Sequence, residues 1–469
     1  MPRRLLIPLL VLALASPALA GRRKAGPTSP ERIDQASVQL MGRALTSDRA
    51  WEDLVFLCDR IGNRLSGTPS LERAIAWAKE RLEEAGVAVA LEPVSVPKWV
   101  RGAERATLLA PVERDLPILG LGMTVGTPPG GAEAEVLVVG SWEELEAKAE
   151  QARGRIVLYD VPFTTYKETV AYRSRGASEA SKLGAVAALV RSVTPQSLST
   201  PHTGALRYAD DVPPIPAAAL TVEDAATLHR LSDRGVVPRL RLELGAQHHG
   251  EVGSFNVVAQ ITGREAPQEV VVMGCHIDSW DVGQGAQDDG AGCVMVMEAI
   301  RLIAELPWAP RRTLRVVLFT NEENGLAGGH AYHAAHGTED HVAALEADTG
   351  AGQPLGWRMD LRGEGEGVDA ARALARARMA PIQEKLTALG ATGLRESYAG
   401  ADIGPLVAGG VPGLGLDFDT TGYWPIHHTD ADTIDKIDPA MLRKNVAVMA
   451  ITAFTLAEME GRLRPGGAP

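Results

Sequence analysis

Four candidate strands in the second half of the chain each run into a loop carrying metal-ligating or proton-transferring side chains. This arrangement limits the possible folds more than any other feature. The first strand, Val270-Val271-Val272-Met273, leads to His276-Ile277-Asp278 and then to Gln287-Asp288-Asp289-Gly290. The second, Leu314 to Phe319, leads to Asn321-Glu322-Glu323-Asn324, and the third, Val342 to Leu345, to Ala347-Asp348. The fourth, Val411 to Phe418, precedes Tyr423-Trp424-Pro425-Ile426-His427-His428-Thr429. Between the first two, Val296, Ile300 and Ile303 fall on one helical face. Short apolar runs alternating with helices describe a mostly parallel sheet flanked by helices. Open sheets of this kind bind ligands beyond the carboxyl ends of their strands, so these loops are expected at one rim.

The side-chain types point to a metal. Imidazole and carboxylate without thiolate suit a catalytic zinc that keeps a position open for water or substrate. An aspartate can bridge two ions through its two oxygens, and paired metals activate water and polarise a carbonyl together. Adjacent glutamates allow one to hold metal while the other moves a proton. Taken singly, each piece has a plainer reading. His276 would pass for a core histidine, Asp288-Asp289 for a helix cap, Glu322-Glu323 for a solvated pair and Asp348 for a turn residue. Their shared placement at strand ends outweighs those readings. His202, His248, His249, His330, His333, His336 and His341 lack companion carboxylates at strand ends and read as surface or packing residues. His427 stays ambiguous beside His428.

Composition narrows the setting. The 469 residues are 45% hydrophobic, enough for a sizeable core and more than one domain. A net charge of -12 argues against nucleic acid as a partner. Residues 1–20 read as an export signal: Arg3 and Arg4, an apolar stretch from Leu5 to Ala15, then Ala18-Leu19-Ala20 as cleavage site. The mature chain is therefore expected to be secreted or periplasmic, with no membrane attachment after cleavage. Cys58, Cys275 and Cys293 are too few and too scattered for a disulfide framework, and no CxxC pair exists for a thiolate zinc site.

Residues 21–46 are polar and read as a flexible start or pro-segment. Residues 47–100 open the catalytic domain, with a helix from Pro69 to Ala85 capped by Thr68 and a strand from Val87 to Val96. Residues 101–245 have a different texture, short strands (Glu135 to Val139, Arg155 to Tyr159, Ala185 to Val190) separated by turn signals, and read as an inserted, mostly β domain. Residues 246–460 complete the catalytic domain, ending in a helix with Asp438 as cap and Pro439 at its first position. Residues 461–469 form a tail.

The stretch from His276 to Gly290, with the later Glu322-Glu323, Asp348 and His428-Thr429, resembles the dinuclear zinc exopeptidases of the aminopeptidase/glutamate carboxypeptidase family. Ser279 to Gly285 resembles its carboxypeptidase Q-like branch most. The resemblance spans nearly the whole mature chain, and the insertion resembles a protease-associated domain. It implies two Zn2+ per chain: His276 and Asp348 on one, Glu323 and His428 on the other, Asp288 bridging. It implies Glu322 as general base, Asp278 as the group orienting His276, a cis peptide between Asp288 and Asp289, and a short peptide or dipeptide as substrate. Asn321 departs from the family pattern, where a small residue is common. An aminopeptidase acting on longer peptides is the first alternative. A one-zinc, glutaminyl cyclase-like acyl transfer and a non-catalytic binding ectodomain are disfavoured by the complete ligand set. Asp402, Arg395 and Tyr423 are candidates for reading a substrate terminus, though Asp402 reads equally as a helix N-cap. The inserted domain leaves a homodimer open.

Overall fold

A computed structural model describes residues 28–464. Two eight-stranded sheets organise them. In the first, the strands lie side by side in the order Ala88–Val100, Gln247–Ile261, Arg312–Phe319, Ala266–His276, Asp340–Glu346, Gly413–Phe418, Pro354–Asp360 and Gly393–Glu396. The four middle strands run parallel, and antiparallel pairings flank them. The expected sheet is therefore present, parallel at its centre and mixed at its margins.

Parallel strands covered on both faces must be apolar throughout, and these are. Along Ala266–His276, Val271, Met273 and Cys275 enter one core while Val270 and Val272 enter the other. The first core holds the helices Pro69–Glu84, Ala291–Ala304 and Pro439–Glu458; the second holds Ala327–His336 and Gly404–Ala408. Helix Ala291–Ala304 is buried nearly all round, well beyond the single face that Val296, Ile300 and Ile303 define. The reason is a second layer: Pro439–Glu458 packs over it and Ser29–Thr46 packs over that. Helix Pro439–Glu458 has the length and apolarity to cross a bilayer, yet from Asn445 to Glu458 every residue is buried within the protein.

Caps hold as the local chemistry predicts. The Thr68 hydroxyl accepts the Leu71 N–H, and the Asp438 carboxylate accepts the Ala440 N–H, each before a proline at the first helical position.

The first 18-residue helix, Ser29–Thr46, corrects the expectation of a flexible start. Its polar composition hides a narrow stripe, Ile33, Ala36, Ser37, Leu40 and Ala44, that is buried against the last helix. Glu458, wholly buried near the end of that helix, accepts hydrogen bonds from Ser29, Arg32, Arg264 and the Arg311 N–H. The leader reading falls on residues outside those described.

The second sheet comprises residues 104–244, in the order Arg114–Leu116, Glu104–Ala110, Arg239–Leu244, Ala132–Val139, Ile156–Tyr159, Ala187–Arg191, Ala217–Leu220, Ile118–Gly120. It is less purely β than expected, because helices Tyr166–Lys182 and Val222–Asp233 lie against it. The first of these lacks a strong apolar stripe and packs through small residues. Gly176 lies so close to the Tyr159 ring that a Cβ would meet it at 2.7 Å.

Candidate metal centre

Strand ends of the first sheet deliver the expected side chains to one rim. His276 is the last residue of its strand, and Glu322 and Glu323 follow Phe319. Asp348 follows Glu346, and His427 and His428 follow the strand Gly413–Phe418. Asp288 stands just before helix Ala291–Ala304, and its peptide bond to Asp289 is cis.

Asp288 sits between two groups. Its Oδ1 lies 3.3 Å from His276 Nε2, which is also 3.3 Å from Asp348 Oδ1. Its Oδ2 lies 3.2 Å from His428 Nε2, which is 3.1 Å from Glu323 Oε2. One carboxylate thus faces a His–Asp pair through one oxygen and a His–Glu pair through the other. His427 stacks on His428 with ring centroids 3.5 Å apart, its Nε2 at 3.7 Å from Asp288 Oδ2.

Outer contacts hold these groups. Arg64, fully buried, donates to the carbonyls of Gly62, Ile277, Gln284 and Gly285, pinning the loop that leads to Asp288. The Asp432 carboxylate accepts the Gln287 and Asp288 N–H groups at 2.7 and 3.1 Å. His276 Nδ1 lies 3.1 Å from the main-chain carbonyl of Asp278, whose carboxylate is 3.8 Å away. That carboxylate instead accepts N–H groups from Asn321, Glu322 and Glu323 at 2.8, 3.1 and 3.3 Å. His276 Nδ1 thus lies nearer the main-chain carbonyl of Asp278 than the side chain expected to orient it, and three amides converge on that carboxylate. Asn321 adopts φ +74°, a left-handed conformation asparagine tolerates better than most residues.

The electrostatics show what is missing. Asp288 Oδ2 and Glu323 Oε1 are buried without a hydrogen-bond partner. Burial pushes Glu323 up to about 7 and holds Glu322 well above the usual carboxylate range, with neighbouring carboxylates adding to both. Burial disfavours a charged His428, yet Glu323 and Asp288 outweigh it and raise the imidazole to about 9. Carboxylates crowded this closely with orphaned oxygens fit divalent cations, which would satisfy the oxygens and offset the repulsion.

A cleft of about 800 Å³ opens over the centre, lined by Glu322, Asp348, Tyr423 and Tyr166. Five cations also line it, Lys167, Arg173, Arg175, Arg207 and Arg358. None of the five is among the ion pairs of the described residues.

Residues 256–453 match the family model described as Peptidase family M28. The chain is 42% identical to carboxypeptidase Q of Xenopus laevis, over 93% of this chain and 92% of that one. With carboxypeptidase Q of Homo sapiens it shares 41%, over 92% and 90%. The chain belongs to peptidase family M28. It is a carboxypeptidase Q-like metallopeptidase of that family. The solved structure of a peptidase M28 precursor from Shewanella amazonensis superposes on this M28 chain with a TM-score of 0.87 at 35% identity, covering 93% of this chain and 99% of that one.

Of the expected site residues in this M28 peptidase, His276, Asp288, Glu322, Glu323, Asp348 and His428 come together, and Asp278 lies directly behind them. Arg395 does not join them; it pairs with Asp417 at 2.7 Å in an exposed position. Asp402 does not cap a helix: helix Gly404–Ala408 follows Ile403, and both Asp402 carboxylate oxygens are buried without a partner. His202 is a buried packing residue. Sequence reading gave no role to Arg64, which acts at a distance along the chain, and used Asp432 only as part of the spacing that favours His428 over His427.

Proposed function

We propose that the protein is an exported dinuclear zinc exopeptidase that hydrolyses dipeptides or short peptides held by their free carboxylate. The observation that carries the metal reading is Asp288, whose two oxygens lie 3.3 and 3.2 Å from two histidines, each of which also meets a second carboxylate. His276 and Asp348 would hold one zinc, Glu323 and His428 the other, with Asp288 shared. Zinc there supplies Lewis acidity toward a peptide carbonyl and toward water.

The protein's own groups divide the remaining work. Glu322 faces the cleft, and burial raises its proton affinity, which suits it to accept a proton from water and pass it to the departing amine. Tyr166 and Tyr423 wall the cleft beside it. The five cations without carboxylate partners supply the carboxylate-reading charge. The acids lining the cleft, Asp288, Glu322, Glu323 and Asp348, already have roles as metal ligands or base in this reading, and Asp402 is buried away from solvent. The leader-like pattern of residues 1–20 supports an enzyme that works in a periplasm or outside the cell.

The test combines zinc analysis with dipeptides blocked at one end or the other. Two zinc ions per chain and cleavage that requires a free carboxylate but not a free amine support the proposal. Cleavage that tolerates a C-terminal amide and demands a free amine would replace it with the aminopeptidase reading.

A further inference from the structure

We infer that Thr203 and its loop, supplied by the second-sheet module, act as a positioning clamp for metal binding by His428, making that module a working part of the metal centre. The inference rests on the reading of His428 as a zinc ligand.

Thr203 and His428, 225 residues apart, bond reciprocally. The Thr203 N–H donates to the His428 carbonyl at 3.0 Å, and His428 Nδ1 lies 3.2 Å from the Thr203 carbonyl. A carbonyl oxygen only accepts, so the 3.2 Å contact calls for the proton on Nδ1, in preference to the longer 3.4 Å approach of the Arg173 guanidinium to the same nitrogen. In the neutral ring that a metal would bind, the lone pair is then left on Nε2, the nitrogen that faces Asp288 and Glu323. His428 also adopts φ +61°, an uncommon left-handed conformation that histidine tolerates better than most residues, and the Thr203 bonds grip both its ring and its backbone.

The clamp is itself braced. Arg173 donates to the same Thr203 carbonyl at 3.3 Å and to the Tyr166 hydroxyl at 2.9 Å. The Thr203 hydroxyl donates to the Gly120 carbonyl at 2.7 Å. Arg101 donates to that hydroxyl and, at 2.6 Å, to Asp281, in the segment between His276 and Asp288. Gly204 has φ +138°, and a Cβ there would fall on the Arg173 guanidinium. The loop therefore has no room for a side chain at the residue after Thr203.

Zinc binding to the purified full-length mature protein, without substrate, tests this. Gly204→Ala displaces the Arg173 guanidinium, which braces the Thr203 carbonyl. Thr203→Val removes the hydroxyl brace at nearly constant shape, and Thr203→Ser keeps it. Stepwise zinc dissociation constants are measured by chelator competition, alongside the melting temperature of the zinc-free form. Expected is a weakening of one zinc by about 10–100-fold in Gly204→Ala and Thr203→Val, the range usual for lost outer-shell partners. The other zinc holds, Thr203→Ser behaves as wild type, and Gly204→Ala has no further effect in a His428→Ala background. Wild-type affinities in both variants, or equal weakening of both zincs, would overturn the clamp. If Gly204→Ala does not fold, Thr203→Val decides alone. A wild-type protein that binds fewer than two zincs removes the dinuclear reading first, and the clamp with it.

Discussion

Asp278→Asn separates two ways in which a buried carboxylate can serve this site. The Asp278 Oδ1 accepts the Asn321 and Glu322 N–H groups at 2.8 and 3.1 Å, while Oδ2 accepts the Glu323 N–H at 3.3 Å. An asparagine keeps the first pair with its amide oxygen but turns an NH2 group toward the Glu323 N–H. One charge-assisted bond is lost and a buried donor is left facing another donor, at a cost of about 1–3 kcal/mol. In the zinc-free enzyme the loop can relax away from this contact, whereas Glu323 must return to hold zinc. The cost therefore appears in zinc affinity, as a factor of about 5–150. His276 should be spared, because it leans on the main-chain carbonyl of Asp278, which a side-chain substitution leaves in place. Chelator-competition titrations of a double-mutant cycle check this: Asp278→Asn should be strongly non-additive with Glu323→Ala and additive with His276→Ala. Coupling to His276 instead, or unchanged affinity, refutes the reasoning.

Three further outcomes follow from the same geometry. Glu322→Gln should retain both zinc ions and lose about 10²–10⁴-fold in kcat, the usual worth of a general base, as read by metal analysis and steady-state kinetics. Zinc-free protein should lose stability between pH 7 and pH 9. There, folded His428 titrates near 9 against 6.5 unfolded, so its stabilisation, up to about 3 kcal/mol, is present below 6.5 and gone above 9. His276, also raised, acts in the same direction. Thermal melts of chelator-treated protein should show that slope, and restoring zinc should flatten it. Arg358→Ala should raise KM for dipeptides with a free carboxylate by about tenfold or more while sparing C-terminal amides, consistent with loss of a charged contact.

The rim of the first sheet was readable in advance because strand-end placement is a local property. An apolar run followed by His276 or Glu322-Glu323 signals both the strand and what it carries. The supports were not readable, since Arg64 reaches Gly285 across 221 positions and Asp432 reaches Asp288 across 144. Residue type alone also did not show that at Asp278 the main-chain carbonyl lies nearer His276 while the carboxylate gathers amides. Helix Ser29–Thr46 escaped notice because its buried stripe depends on alanine and serine. Helix Tyr166–Lys182 could have been found from Thr165 and Glu168, since the Thr165 hydroxyl does accept the Glu168 N–H. Asp402 shows the opposite error, a cap expected from residue type that the backbone does not use.

The junction at Glu458 bears on how this polypeptide acquires its shape. Arg32 and Glu458 meet across 426 positions, so the earliest described segment finds its resting place only once nearly everything downstream has been made. A chain delivered N-terminus first must keep that segment waiting. For an exported protein, passage of the chain as far as Glu458 through a translocon would then precede the closing of the interior, leaving helix Pro439–Glu458 to seal what Ser29–Thr46 began.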